Sequence, residues 1–169
     1  MFLIEINRLR WIDDSNDNVE DLCLHGNVIA TIGQEQFECD CTVSATALYL
    51  LKTLTENHRI NEDNQMLPCC GFSIYPREDN NYSDLVIVGC PNGIDWSVIH
   101  SDNGVKIITE AGNEMFVEIN EYRKIVYNFV DKVEQFYKQS PKRKLSGDDF
   151  DKHMYYAFWE EWKSRRNMS

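Results

Sequence analysis

Three turn signatures follow one another closely in the middle of the chain: Pro91-Asn92-Gly93, Ser101-Asp102-Asn103-Gly104 and Glu110-Ala111-Gly112-Asn113. Asn-Gly and its relatives supply the positive-φ residues that tight hairpins require, so turn signals at these short regular intervals after the strand Asp84–Cys90 predict an antiparallel meander. The spacing predicts four consecutive strands. Directly afterwards the period changes from two to 3.6. Tyr122, Ile125, Val126, Phe129, Val130, Val133, Phe136 and Tyr137 form one helical stripe, with Asn120 as its expected N-cap.

The N-terminal half reads in the same way. Residues 2–12 suggest a strand, Asp13 to Asn18 a turn rich in self-capping side chains, and the segments around Leu22–His25, Asn27–Ile32 and Gln36–Cys41 two or three short strands. Val43, Ala47, Leu48, Leu51 and Leu54 recur at helical spacing and predict an amphipathic helix ending near Asn57. A polar loop then leads to two strands, Cys69–Pro76 and Asp84–Cys90, flanking the acidic loop Arg77–Asp84. Residues 140–146 form a short basic linker. Ser146 and Asp149 resemble a capping box opening a last helix over about 147–166. The expected fold is therefore α+β, a single domain over 1–169, with an antiparallel sheet of about seven strands and three principal helices.

Six cysteines and four histidines invite a search for chemistry. Cys90, Asp95 and His100 are the residue set of a thiol-nucleophile enzyme. If Pro91-Asn92-Gly93 closes a hairpin, however, Val88 faces Trp96, Val86 faces Val98, Asp84 faces His100, and Cys90 lies about 20 Å from His100. That exceeds the roughly 3 Å reach of a nucleophile and its base. Trp96 is then a core anchor. Metal binding fares no better on spacing. Cys39-Asp40-Cys41 and Cys69-Cys70 are not zinc knuckles, and adjacent cysteines on a strand are expected to point to opposite faces. Asp13 to Asn18 lacks the glycine and the distal glutamate of a calcium loop. No nucleotide-binding, hydrolase or metalloprotease motif occurs. The expectation is a protein that is not an enzyme, with no cofactor, no metal and reduced, packed thiols.

Charge is more informative. Residues 1–120 carry 6 Lys+Arg against 20 Asp+Glu, whereas residues 121–169 carry 11 against 8. A body of net −14 repels phosphate, so no nucleic-acid or membrane partner is expected and a basic protein is. The opening segment interrupts its apolar residues with Glu5, Arg8 and Arg10, and no apolar run approaches membrane-span length, which points to the cytoplasm. The last helix carries Phe150, Met154, Tyr155, Phe158, Trp159 and Trp162 over an arc of about 180°, wider than one buried stripe. Tyr156 lies outside that arc.

The run Cys90-Pro91-Asn92-Gly93-Ile94-Asp95-Trp96, the Tyr122 to Tyr137 helix and the terminal Phe158-Trp159-Glu160-Glu161-Trp162 resemble small bacterial immunity proteins encoded beside secreted toxins. The resemblance covers about half of the chain. It implies a cytosolic protein that binds and blocks a toxin domain, often through acidic residues facing a basic nuclease. The partner-binding candidates are Asp13, Asp14 and Asp17 in one acidic turn, Glu78 and Asp79 in the other, and the aromatic set Tyr155, Trp159 and Trp162. An enzyme with a site assembled across the fold and a regulatory or adaptor domain are the competing classes.

Overall fold

The computed structural model describes residues 1–12, 18–60, 64–79 and 81–168. Its elements run β1 (Phe2–Arg10), β2 (His25–Ile32), β3 (Glu35–Thr42), α1 (Val43–Lys52), β4 (Ser73–Pro76), β5 (Leu85–Val88), β6 (Trp96–Ser101), β7 (Gly104–Thr109), β8 (Glu114–Glu118), α2 (Ile119–Gln139) and α3 (Asp149–Met168). The fold is α+β with three helices. The strands nevertheless do not join into one sheet of seven. Among the described residues there are eight, in three separate antiparallel sheets ordered β1-β2-β3, β4-β5 and β6-β7-β8.

The correction centres on Pro91-Asn92-Gly93. That segment closes no hairpin: β5 pairs with β4, from Ser73 opposite Val88 to Pro76 opposite Leu85, and β6 pairs with β7, placing His100 opposite Val105. The expected Val88–Trp96, Val86–Val98 and Asp84–His100 pairs therefore do not form, and the meander has three strands. The cause is a competing set of donors. Ile94 bridges Leu67, and the buried Asp95 carboxylate accepts the Met66 and Trp96 backbone N–H groups and lies 2.8 Å from His58 Nε2. A buried carboxylate must be satisfied, and the loop before β6 turns away from β5 to satisfy it.

Helix α1 departs further from expectation. All ten of its residues are buried, so it is a central rod covered on every side, not an amphipathic surface helix, and it stops at Lys52, short of Asn57. It touches β2, β3, α2 and α3. Helix α2 buries Tyr122, Val126, Phe129, Val130 and Val133 as the stripe requires, spanning β1 on one side and β7 and β8 on the other. Its N-cap is Glu118 rather than Asn120, with no side-chain capping bond. Phe2, Trp96 and Tyr122 meet at this junction, with Phe2 6.4 Å from Trp96 and 5.6 Å from Tyr122 between ring centroids. Helix α3 starts two residues later than expected. Asp148 caps it by accepting the Asp151 N–H at 2.9 Å, which displaces Ser146 from that role.

Lys52 is the one charge at the end of the buried rod, and α3 answers it. Its ammonium lies 2.7 Å from Asp84 and 3.1 Å from Glu161, and donates to the Leu85 carbonyl at 2.6 Å. Glu161 is itself buried; it accepts the Leu85 N–H and the Arg165 guanidinium, which also pairs with Glu56. Burial pushes the Glu161 carboxyl up from its ordinary value in spite of Lys52 and Arg165. At Asp84 burial acts in the same direction, but Lys52, Arg77 and Arg165 outweigh it and hold the carboxyl low.

Removing one partner from such a cluster strands the others in a low-dielectric interior. Glu161→Leu is therefore expected to lose about 3–5 kcal/mol of stability in urea unfolding. Glu160→Gln, one residue away but exposed and paired only with Lys163, should change it by less than about 0.5 kcal/mol.

Candidate functional site

The sequence-derived binding residues fall on two surfaces flanking α3. Asp13, Asp14 and Asp17 lie outside the described residues. Glu78 and Asp79 occupy the turn between β4 and β5, fully exposed. Arg77 N–H donates to the Asp84 carbonyl at 2.9 Å and its guanidinium Nε to the Asp84 carboxylate at 2.9 Å, closing the base of the loop. Asn81 accepts from Ser83 N and Oγ, and its own N–H donates to Glu78 O.

What the sequence did not place together is the aromatic ledge around this turn. Tyr75, at the end of β4, lies 6.0 Å from Phe150 in the first turn of α3, and Tyr82 stands edge-on to His153 at 4.6 Å. Tyr75, Phe150 and Tyr82 remain 47%, 46% and 39% exposed. Glu78 and Asp79 lie in the turn between Tyr75 and Tyr82, and Asp149 and Asp151 in the first turn of α3 beside Phe150. Aromatic side chains with exposed faces inside a charged rim are the composition of a protein-binding hot spot. Phe150, in the first turn of α3, meets Tyr75 of β4 and keeps an exposed face, whereas Met154 and Phe158 further along the helix are buried.

Tyr155, Trp159 and Trp162 face the other way, toward α2 and the linker. Tyr155 and Trp162 are buried; Trp159 is partly exposed. They line a groove of ≈ 530 Å³ bounded by Tyr137, by Pro141, Lys142, Arg143 and Leu145 of the linker, and by the exposed Tyr156. Trp159 packs edge-on to Tyr137 at 4.9 Å, and the Trp162 indole donates to Glu134 at 2.8 Å. Burial raises the Glu134 carboxyl, but that indole, Lys138 and Arg166 overcome it and hold it below its usual value. The linker wall is fixed by Arg143 stacked 3.9 Å over Trp11 and by Lys144, whose N–H donates to Val19 O and whose ammonium pairs with Glu20.

Among the described residues no thiol–imidazole hydrogen bond is formed. His100 Nε2 lies 3.0 Å from Thr53 O, and His58 Nε2 is engaged by Asp95. Cys90 stands beside neither ring; its sulfur, with those of Cys69 and Cys70, forms a group of three within 4.8 Å of one another. This corrects the expectation that adjacent cysteines diverge, since Cys69 and Cys70 lie outside β4 and escape strand alternation. Burial pushes Cys23 and Cys41 up to about 12, so these two behave as packed, inert thiols. No helix among the described residues is long and apolar enough to cross a membrane.

No protein-family model, no curated protein and no solved structure matches this chain.

The two surfaces differ in what holds them. Tyr82→Ala and Phe150→Ala are expected to cost about 0.5–1.5 kcal/mol each, the worth of an exposed aromatic contact. Trp162→Ala should cost about 3–5 kcal/mol, because it empties a buried site. Urea unfolding of the three variants separates the ledge from the groove wall.

Proposed function

We propose that this chain is a non-catalytic binding protein that captures a basic protein partner on the acidic aromatic ledge, and that it acts as a cytosolic immunity protein for a bacterial toxin domain. The observation that carries this reading is the mounting of Glu78 and Asp79 among Tyr75, Tyr82 and Phe150. The carboxylates supply long-range attraction and the rings supply desolvated contact area, and the two together are what a specific encounter needs. The excess of acidic residues over the first 120 positions extends the same field across the body and favours a cationic partner over a phosphate-bearing one. The resemblance of the Cys90–Trp96, Tyr122–Tyr137 and Phe158–Trp162 segments to immunity proteins points in the same direction.

Against a hydrolytic reading stand the two imidazoles. His58 and His100 spend their Nε2 atoms on Asp95 and on the Thr53 carbonyl, contacts that tie Thr53 and His58 to β6 and the residue before it.

The test is binding to the product of the adjacent reading frame, followed at low and high salt. Glu78→Gln combined with Asp79→Asn is expected to slow association several-fold and to flatten its salt dependence, since rim charges act mainly on encounter. Tyr82→Ala with Phe150→Ala should instead raise the dissociation rate by about tenfold or more, the signature of a central contact. Unchanged rates in both folded variants would discard the ledge and leave the Tyr155, Trp159 and Trp162 groove as the docking surface. Failure to form any complex with that product, from a gene set within a metabolic operon, would discard the immunity reading altogether.

A further inference from the structure

The Cys69, Cys70 and Cys90 thiols belong to neither surface, and their proximity is built rather than incidental. Two short motifs approach each other head-on: Cys69-Cys70-Gly71 before β4 and Gly89-Cys90 after β5. Cys90 N–H donates to the Cys70 carbonyl at 3.3 Å, continuing the β4–β5 ribbon past its last paired residues. Only glycine fits at the crossing. A Cβ on Gly89 would overlap the Cys70 carbonyl, and one on Gly71 would lie 2.6 Å from the Val88 carbonyl oxygen. Gly71 also adopts φ 98°, a conformation that disfavours any side chain.

Both motifs are tethered independently. The first is held from β3, where Thr42 N–H donates to Pro68 O at 2.9 Å and Thr42 Oγ1 to Gly71 O at 3.3 Å. The second is held by one side chain, Gln65. Its Nε2 donates to Pro91 O at 3.1 Å, and its Oε1 accepts Gly93 N–H at 2.9 Å. The three sulfurs are thus carried by backbone whose position is fixed on both sides. The cluster is reached from solvent, since Cys70 is exposed, and Cys90 borders an open cavity of ≈ 410 Å³.

We propose that Cys69, Cys70 and Cys90 form a three-thiolate site for a single soft metal ion, with monovalent copper as the ion it suits. Metal–thiolate bonds of about 2.3 Å in a trigonal plane set sulfurs about 4.0 Å apart. The observed triangle needs only a small contraction to reach that. Thiolates select soft ions, and zinc in a structural site takes four ligands. Among the described residues no His, Asp, Glu or further Cys joins the cluster, which offers three sulfur ligands. Monovalent copper accepts that number. Binding releases the protons that the thiols carry as each sulfur bonds the ion.

The experiment titrates reduced, metal-free protein with monovalent copper under anaerobic conditions against a competing chelator. One equivalent per chain is expected, with thiolate-to-copper charge-transfer absorption. Cys69→Ser, Cys70→Ser and Cys90→Ser should each weaken binding by at least the 10–100-fold typical of losing even an outer-shell partner, and Gln65→Ala by about tenfold. Cys39→Ser, whose thiol senses Cys90 without joining the triangle, should bind as the parent does. In the unaltered protein, bound copper should protect Cys69, Cys70 and Cys90 together from alkylation, a readout independent of whether any variant folds. No competition with the chelator, zinc bound in preference to copper, protection of other cysteines, or an equal loss in Cys39→Ser would each overturn the site. So would a reduced form that takes up no metal and merely loses two thiols to a disulfide in air.

Discussion

A lysine at the end of a wholly buried helix governs the arrangement of the C-terminal half. Helix α1 has no solvent face, so Lys52 has nowhere to extend except along the interior toward β5 and α3. An ammonium placed there demands acceptors, and the cluster answers charge for charge: Lys52, Arg77 and Arg165 against Asp84, Glu161 and Glu56. Apolar packing alone would allow α3 to rotate or slide on β4 and β5. Glu161 removes that freedom, because one oxygen must reach Lys52 while the other accepts the Leu85 N–H. Such clusters add little net stability over an apolar equivalent, and what this one supplies is the relative placement of three elements.

Local chemistry was legible where it decided the outcome. The 3.6-residue stripe of α2, the last helix and the turns at Asn103-Gly104 and Gly112 were readable because each depends on neighbours within a few positions. The turn at Asn92-Gly93 carried the same local signal and was overruled from a distance. Asp95 binds donors at positions 58 and 66, and no periodicity around residue 90 contains that information. Helix α1 shows a second limit. Val43, Ala47, Leu48 and Leu51 mark an apolar face, but Ser44, Thr46 and Tyr49 on the other faces are buried too, each bonded to a partner remote in sequence or held against Cys41. Burial of a polar residue depends on where its partner is, which the helix itself does not encode.

The candidate sites were less visible than the fold for the same reason. Glu78 and Asp79 stood out as charge in a loop. The rings that give them an interface come from β4, from the far side of the turn and from α3, some 70 positions apart in the chain, as the separation of Tyr75 and Phe150 shows. The three thiols were individually obvious, yet their convergence depends on a glycine-to-glycine crossing between Cys70 and Gly89. Cys69-Cys70-Gly71 and Gly89-Cys90 are mirror images in sequence order, a pattern that acquires meaning only once β4 and β5 are paired with each other.

The buried cluster and the exposed ledge are not independent. Asp84 belongs to both: one carboxylate oxygen receives Lys52 from below, the other receives Arg77 and closes the turn that carries Glu78 and Asp79. Glu161, about three turns along α3 from Phe150 and on nearly the same face, ties to Lys52 and Leu85 the helix whose Phe150 and His153 meet Tyr75 and Tyr82. The ledge is therefore shaped before any partner arrives. Ordering a rotamer-rich side chain on binding costs about 0.5–1.5 kcal/mol, so a surface whose rings and loop are already held keeps more of its contact energy as affinity. In this protein the interior charge that looks expensive for stability also sets where α3 and the β4–β5 turn place their exposed rings.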